Sequence, residues 1–175
     1  MKKFFLYIIL SSFCFAKCNK DKHENDGMPP ATQEGKNTLG FLLNGQTWTP
    51  KGFNGTANLS IDIDFGFNNG IFNIVGYRTI NNITEQFTIG ISDSLNLISI
   101  PYTFTIRRNS VFGVSYTKLV CDYFSKDNNT LSEGAMTITK LDKTNHIISG
   151  TFYSTLSIGG CESIKINDGR FDMKF

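Results

Sequence analysis

The chain has 175 residues, with 17 lysines and arginines against 15 acids, and 40% of its residues are hydrophobic. Removing residues 1–17 takes away Lys2, Lys3 and Lys17 and no acid, so 14 basic residues face 15 acids and the remainder is close to neutral. No Lys/Arg cluster is present to neutralise a run of phosphates, which argues against nucleic acid as a partner.

Behind Lys2-Lys3, residues 4–16 (FFLYIILSSFCFA) run without a charge. Such a run fits the apolar region of a secretory signal and is too short to span ~30 Å of hydrocarbon as a helix. It ends at Cys18, which predicts a lipoprotein signal over residues 1–17 and an acylated Cys18 at the mature N-terminus. Stable anchoring takes more than one acyl chain. Cys14 competes for this role, but cleavage there leaves Phe15-Ala16 apolar at the mature end. Lys17 departs from the small residue that normally precedes the lipidated cysteine. Residues 18–37 are polar, hold Pro29-Pro30 and show no apolar periodicity, so they are expected to form a flexible tether.

Residues 38–175 make one domain, long enough to bury a core without staples. FLLNGQTW (41–48) is a hairpin about Asn44-Gly45, with Phe41 opposite Trp48 and Leu42 opposite Thr47. LSIDIDFGF (59–67) alternates, with Ile61, Ile63, Phe65 and Phe67 on one face and Ser60, Asp62 and Asp64 on the other. Turns at residues 68–70 and at Asn81-Asn82 bound strands over 71–79 and 83–92, the latter with Phe87, Ile89 and Ile91 on one face. Further strands are expected over 100–106, with Pro101 at the start, and over 111–117, 119–124, 135–140 and 147–155. ESIKINDGRFDMKF (162–175) reads as a last hairpin about Asp168-Gly169, pairing Ile166 with Phe171, Ile164 with Met173 and Lys165 with Asp172. About ten closely spaced strands and no amphipathic helix predict an all-β fold. An antiparallel meander is expected, closing as a β-sandwich or as a flattened, lipocalin-like barrel.

With Cys18 acylated and Cys14 removed, Cys121 and Cys161 remain. An even pair in an oxidising compartment reads as a disulfide, the alternative being two buried thiols. Only His23 and His146 are available as imidazole ligands, so neither a metal site nor a cofactor is expected. Asp62 and Asp64 lie on the same strand face and do not flank a bond from opposite sides as glycosidase carboxylates do. His146 is the one histidine of the domain, Cys161 is claimed by the disulfide, and no Gly-x-Ser-x-Gly elbow occurs. No catalytic residue is therefore assigned. Tyr77, Tyr102, Tyr116, Tyr123 and Tyr153 are candidates to line a pocket, with cross-strand packing as the alternative.

The stretches NTLGFLLNGQTWTP, MTITKLDKTNHIISGTFYST and IKINDGRFDMKF together resemble a group of uncharacterised Bacteroidetes lipoproteins, small secreted domains of unknown function. The resemblance covers most of residues 38–175 and is most specific over 136–175. It implies an all-β domain in a Gram-negative envelope and no particular activity. Residues 19–26 loosely resemble the acidic tract that marks such lipoproteins for the cell surface, with Lys20 and Lys22 diluting it. The expectation is thus an outer-membrane, lipid-anchored module, on the surface or the periplasmic face. It would bind a small ligand or glycan without enzymatic activity, or alternatively serve as an interaction subunit of an envelope complex.

Overall fold

The computed structural model describes residues 27–52, 57–107 and 109–175, and the signal peptide and Cys18 expected at the N-terminus lie outside the described residues. Among the described residues, eleven strands follow in order: β1 Thr38–Leu43, β2 Gln46–Trp48, β3 Leu59–Asp64, β4 Ile71–Ile80, β5 Ile83–Ile91, β6 Tyr102–Thr105, β7 Phe112–Lys118, β8 Cys121–Phe124, β9 Thr130–Asp142, β10 Ile147–Ile158 and β11 Ile164–Lys174. They form two antiparallel sheets that do not close into a barrel, so the fold is a sandwich. One sheet has the order β2-β1-β11-β10-β9-β6 and the other β3-β4-β5-β7-β8.

Alternation places the core. Phe87, Ile89 and Ile91 of β5 are buried, as are Phe72 and Ile74 of β4, while Ser60, Asp62 and Asp64 of β3 face solvent. The β1–β2 hairpin has the expected register, Phe41 opposite Trp48 and Leu42 opposite Thr47. Its two rings stack at 4.7 Å, and Phe41 reaches across to Phe87 of the facing sheet at 4.5 Å. Phe87 in turn stacks on Phe152 at 5.4 Å. The interior is filled with side chains from both sheets, and the hollows lie on the outer faces.

A simple meander is corrected in two places. Strand β6 leaves the five-stranded sheet and pairs with β9 at the far edge of the other. Pro101 sits just before it, and an edge strand tolerates a missing N–H. Strand β1 pairs with β11, which brings the two ends of the domain together.

The expected hairpin about Asp168-Gly169 is also corrected: β11 is a single strand, wedged between β1 and β10. Asp168 adopts φ 52°, and the register shifts on both flanks, a β-bulge. One extra residue moves the inward face from Ile164 and Ile166 to Phe171 and Met173, all four buried. A tight turn and a bulge give the same change of parity in sequence. Hydrogen-bonding strands on both sides favour the bulge here. Gly169 is required because the Phe152 ring lies 2.5 Å from where its Cβ would stand, and Gly150 makes the same room for Phe171.

Part of the predicted tether is likewise ordered. Residues 27–36 cross the outer face of the six-stranded sheet as a strap, with Pro29 over Gly40. Asp172 holds it: Thr32 Oγ1 donates at 2.5 Å, and the N–H groups of Glu34, Gly35 and Lys36 donate at 3.0, 2.8 and 3.2 Å. Ser149 Oγ adds a fifth bond at 2.8 Å. Burial pushes this carboxyl up, but the hydrogen bonds from Thr32, Glu34, Gly35 and Ser149 overcome it and hold the pKa at about 2.

Between the sheets, Glu85 of β5 is buried and accepts from Trp48 Nε1 at 2.7 Å and from Arg78 Nε at 2.8 Å, with Lys118 Nζ 3.0 Å from its other oxygen. Burial opposes ionisation, yet Lys118, Arg78 and Trp48 keep this carboxyl below its usual range. The Cys121–Cys161 disulfide closes the same end, joining β8 to the β10–β11 connection across 40 residues. We call this the disulfide end. At the opposite end, Phe65 packs on Phe175 at 5.6 Å and Lys143 donates to Asn96.

Two measurements check these points. Because the folded pKa of Asp172 lies below the ordinary carboxylate value, its contribution is complete above about pH 4 and lost as pH falls toward 2, worth about 2 kcal/mol. In Asp172→Asn, urea unfolding at pH 7 should show that loss, and the stability difference from the wild type should shrink steadily toward pH 2. Reducing Cys121–Cys161 should lower stability by about 4 kcal/mol in the chain-entropy picture, read from guanidinium unfolding with and without dithiothreitol.

Candidate functional site

The outer face of the five-stranded sheet carries a hollow of about 340 Å³. Alternation turns Asn73 of β4, Thr88 and Gly90 of β5, Gly113 and Ser115 of β7, and Phe124 of β8 to this side. Register aligns Asn73 with Gly90 and Gly90 with Gly113, so two adjacent strands lack a side chain at the same level. That gap is the floor. Glycines inside strands mark places where something approaches the backbone closely.

Two aromatic rings flank the floor. Phe124, 41% exposed, rises from the level of Ser115, its partner on β7. Phe67, 55% exposed, stands on the β3–β4 turn at the opposite end from the disulfide. Strand β3 stops at Asp64, so Phe67 does not continue the apolar face of Ile61 and Ile63 as the alternation predicted. Asn68 and Asn69 take positive φ in this turn, followed by Gly70 at φ 93°. The neighbouring loop braces it: Ser94 N donates to Asn68 O, Asn96 N to Asn69 O, and Asn96 Nδ2 to Phe65 O at 2.7 Å. Phe67 is thereby presented from a preorganised turn. Lys126 lies over Gly113, its Nζ donating to Ser92 Oγ at 3.3 Å and to Val111 O at 3.4 Å. The groove thus offers phenyl rings, amides, hydroxyls, the ammonium of Lys126 and the carboxylate of Asp127, a set suited to binding.

The residues singled out in sequence fall elsewhere. Tyr116 and Tyr123 are buried against each other in the core, and the Tyr123 hydroxyl donates to Glu162 O. Burial, with the charge of Glu85 behind it, pushes the Tyr116 phenol up, and its hydroxyl has no partner among the described residues. Tyr102 and Tyr153 are exposed on the six-stranded sheet, and Tyr77 is half-buried on β4. None of the five lines the groove. Its aromatics are the phenylalanines Phe67 and Phe124. The visible signal for them was a Phe followed by Asn-Asn-Gly, and a Phe alternating with the core residue Tyr123.

Cys161 is bonded to Cys121, at the other end of the sandwich from His146, whose ring packs on Phe175 at 5.5 Å. Asp62 faces solvent, and Asp64 Oδ1 accepts from the N–H of Gly66 at 2.7 Å. Among the described residues no three His, Cys, Asp or Glu side chains gather as a metal site. A wider, shallower hollow of about 850 Å³ lies on the six-stranded sheet, floored by the in-register row Thr103, Thr137 and Thr151 beside Arg170. The first two of those hydroxyls bond each other at 2.8 Å.

The two groove glycines differ in what they tolerate. A Cβ on Gly90 would fall 2.2 Å from Phe72 O, whereas one on Gly113 meets only the flexible Lys126 chain at 2.9 Å. Gly90→Ala should therefore cost about 1–3 kcal/mol and Gly113→Ala almost nothing, read from thermal unfolding of the two variants.

Comparison of the chain with protein-family models, with curated proteins and with solved structures gives no match.

Proposed function

We propose that the protein is a non-enzymatic binding module of the bacterial envelope, held on the outer membrane by acyl chains on Cys18 and capturing a small ligand, a glycan above all. The observation that carries the reading is the glycine-floored groove between Phe67 and Phe124, edged by Asn73, Thr88 and Ser115. A sugar ring has an apolar face that packs on an aromatic ring and a rim of hydroxyls that pair with amides and hydroxyls. The volume suits one or two sugar units. The charge-free run over residues 4–16 followed by Cys18 supports the anchor. An accessory subunit of an envelope complex is the second reading. The open edges of both sheets, β2, β3, β6 and β8, favour it as sites for strand addition.

Native mass spectrometry of the protein exposed to envelope extract, followed by titration with the oligosaccharide identified, tests the first reading. Phe67→Ala and Phe124→Ala should each weaken binding about tenfold or more with unchanged melting temperature, because both rings are exposed. Absence of any adduct, with a cross-linked envelope protein at an edge strand, would replace the first reading by the second.

A further inference from the structure

Two neighbouring turns at the disulfide end carry the wrong chemistry for water. Surface hairpin turns favour Gly, Asn and Asp, as at Asn44-Gly45. The β7–β8 turn is Leu119-Val120 instead, 73% and 92% exposed, with Leu119 at φ 55°. A leucine in that conformation is disfavoured sterically. Next to it, the β4–β5 turn at Asn81-Asn82 is flanked by Ile80 and Ile83, both exposed. Register places them together: Glu85 pairs with Lys118, so Ile83 lies two residues outward on β5 and Val120 two residues outward past β7. Four aliphatic side chains therefore crowd the rim of one sheet. Cys121, directly after Val120, is disulfide-bonded, and Glu85 with Lys118 braces the base, so both turns rest on a rigid support.

The N-terminal segment approaches the same end. The strap begins at Gly27, against the methyl of Thr47, whose carbonyl accepts from Arg78 Nη1 at 3.1 Å. Arg78 is two residues from Ile80. Eight residues lie between Cys18 and Gly27, and the nine steps from one to the other span at most about 30 Å when extended. Lys51, bridged to Arg78 and exposed, and Lys118, with its side chain half exposed, stand behind the aliphatic rim.

We infer that the disulfide end is a membrane-docking surface, with Ile80, Ile83, Leu119 and Val120 entering the headgroup–acyl boundary of the bilayer that holds Cys18. The inference rests on the lipid-anchor reading above. Aliphatic tips ahead of lysines match the layering of that boundary, apolar chains below and phosphates above. Attachment at both the acyl chains and the tips sets the sandwich on end. The groove turn with Phe67, at the far end, then faces away from the bilayer, which gives the proposed binding site a direction.

The full chain, purified with whatever lipid it carries, is reconstituted into phosphatidylethanolamine/phosphatidylglycerol vesicles whose acyl chains are brominated. The chain has one tryptophan, Trp48, and it is fully buried. New tryptophans at exposed sites report depth: Val120→Trp on the rim and Leu97→Trp at the opposite end. Quenching of Val120→Trp by about twofold, with Leu97→Trp unchanged, is the expected result. Equal emission from both, in protein that sediments with the vesicles, overturns docking and leaves the anchor standing. Intact mass of the same preparation reports acylation of Cys18 separately. Protein that carries no acyl chain and neither sediments nor quenches overturns both readings. A photo-cross-linker at position 120 that joins a second protein in intact cells, and no lipid, also overturns docking.

Discussion

A single extra residue in β11 sets the direction of every side chain after it. Without the bulge at Asp168-Gly169, Asp172 would point into the core and Phe171 and Met173 would point out. With it, the two apolar residues complete the interior and the carboxylate lands on the outer face, under the strap. Five hydrogen-bond donors then converge on one buried anion. That convergence orders residues 27–36, which have little apolar surface of their own to hold them down. Their path in turn places Gly27, the first described residue, against Thr47. The strap and its position follow from one bulge.

The two ends of the sandwich are held by different forces. At the disulfide end, a covalent bond and a buried carboxylate with three donors on it lock the sheets together. A buried charge of this kind is tolerated because every oxygen is partnered. The opposite end has no such cluster among the described residues, and backbone and amide bonds between the 92–97 loop and the β3–β4 turn do the work. The locked end presents aliphatic turns and the braced end presents an aromatic ring beside a hollow. Rigidity is supplied at both places where the surface is unusual.

Much of this was legible from residue pattern. Period-two alternation located β3 and β5 with their correct inner faces, and Asn44-Gly45 located the first hairpin to the residue. Cys121 and Cys161, the pair left after Cys14 and Cys18, are bonded to each other. What escaped has a common physical cause: local patterns do not reveal what lies on a strand's other side. Asp168-Gly169 satisfies a turn and a bulge equally, and only partners on both flanks decide between them. The polar composition of residues 27–36 argues for disorder, but a single distant carboxylate outweighs it. Phe67 alternates as a core residue would and is exposed because β3 ends early, whereas Phe124, next to the core residue Tyr123, lies on the outer face of β8. Tyrosines drew attention for their polar tips, yet Tyr116 and Tyr123 lie inside the core.

The meeting of β1 with β11 has a bearing on how the chain acquires its shape. Thr32 and Asp172 are 140 residues apart in sequence, and the sheet that joins them cannot close until the final strand is available. The β3-β4-β5 and β9-β10-β11 runs, by contrast, need only their immediate neighbours. Such long-range pairing is the slow part of a β topology. During synthesis β1, with Leu39 and Phe41, has only the short β2 beside it, and its other edge waits open for β11, a template for wrong association with other chains. On topology, the pairing of β1 with β11 is the contact expected to form last.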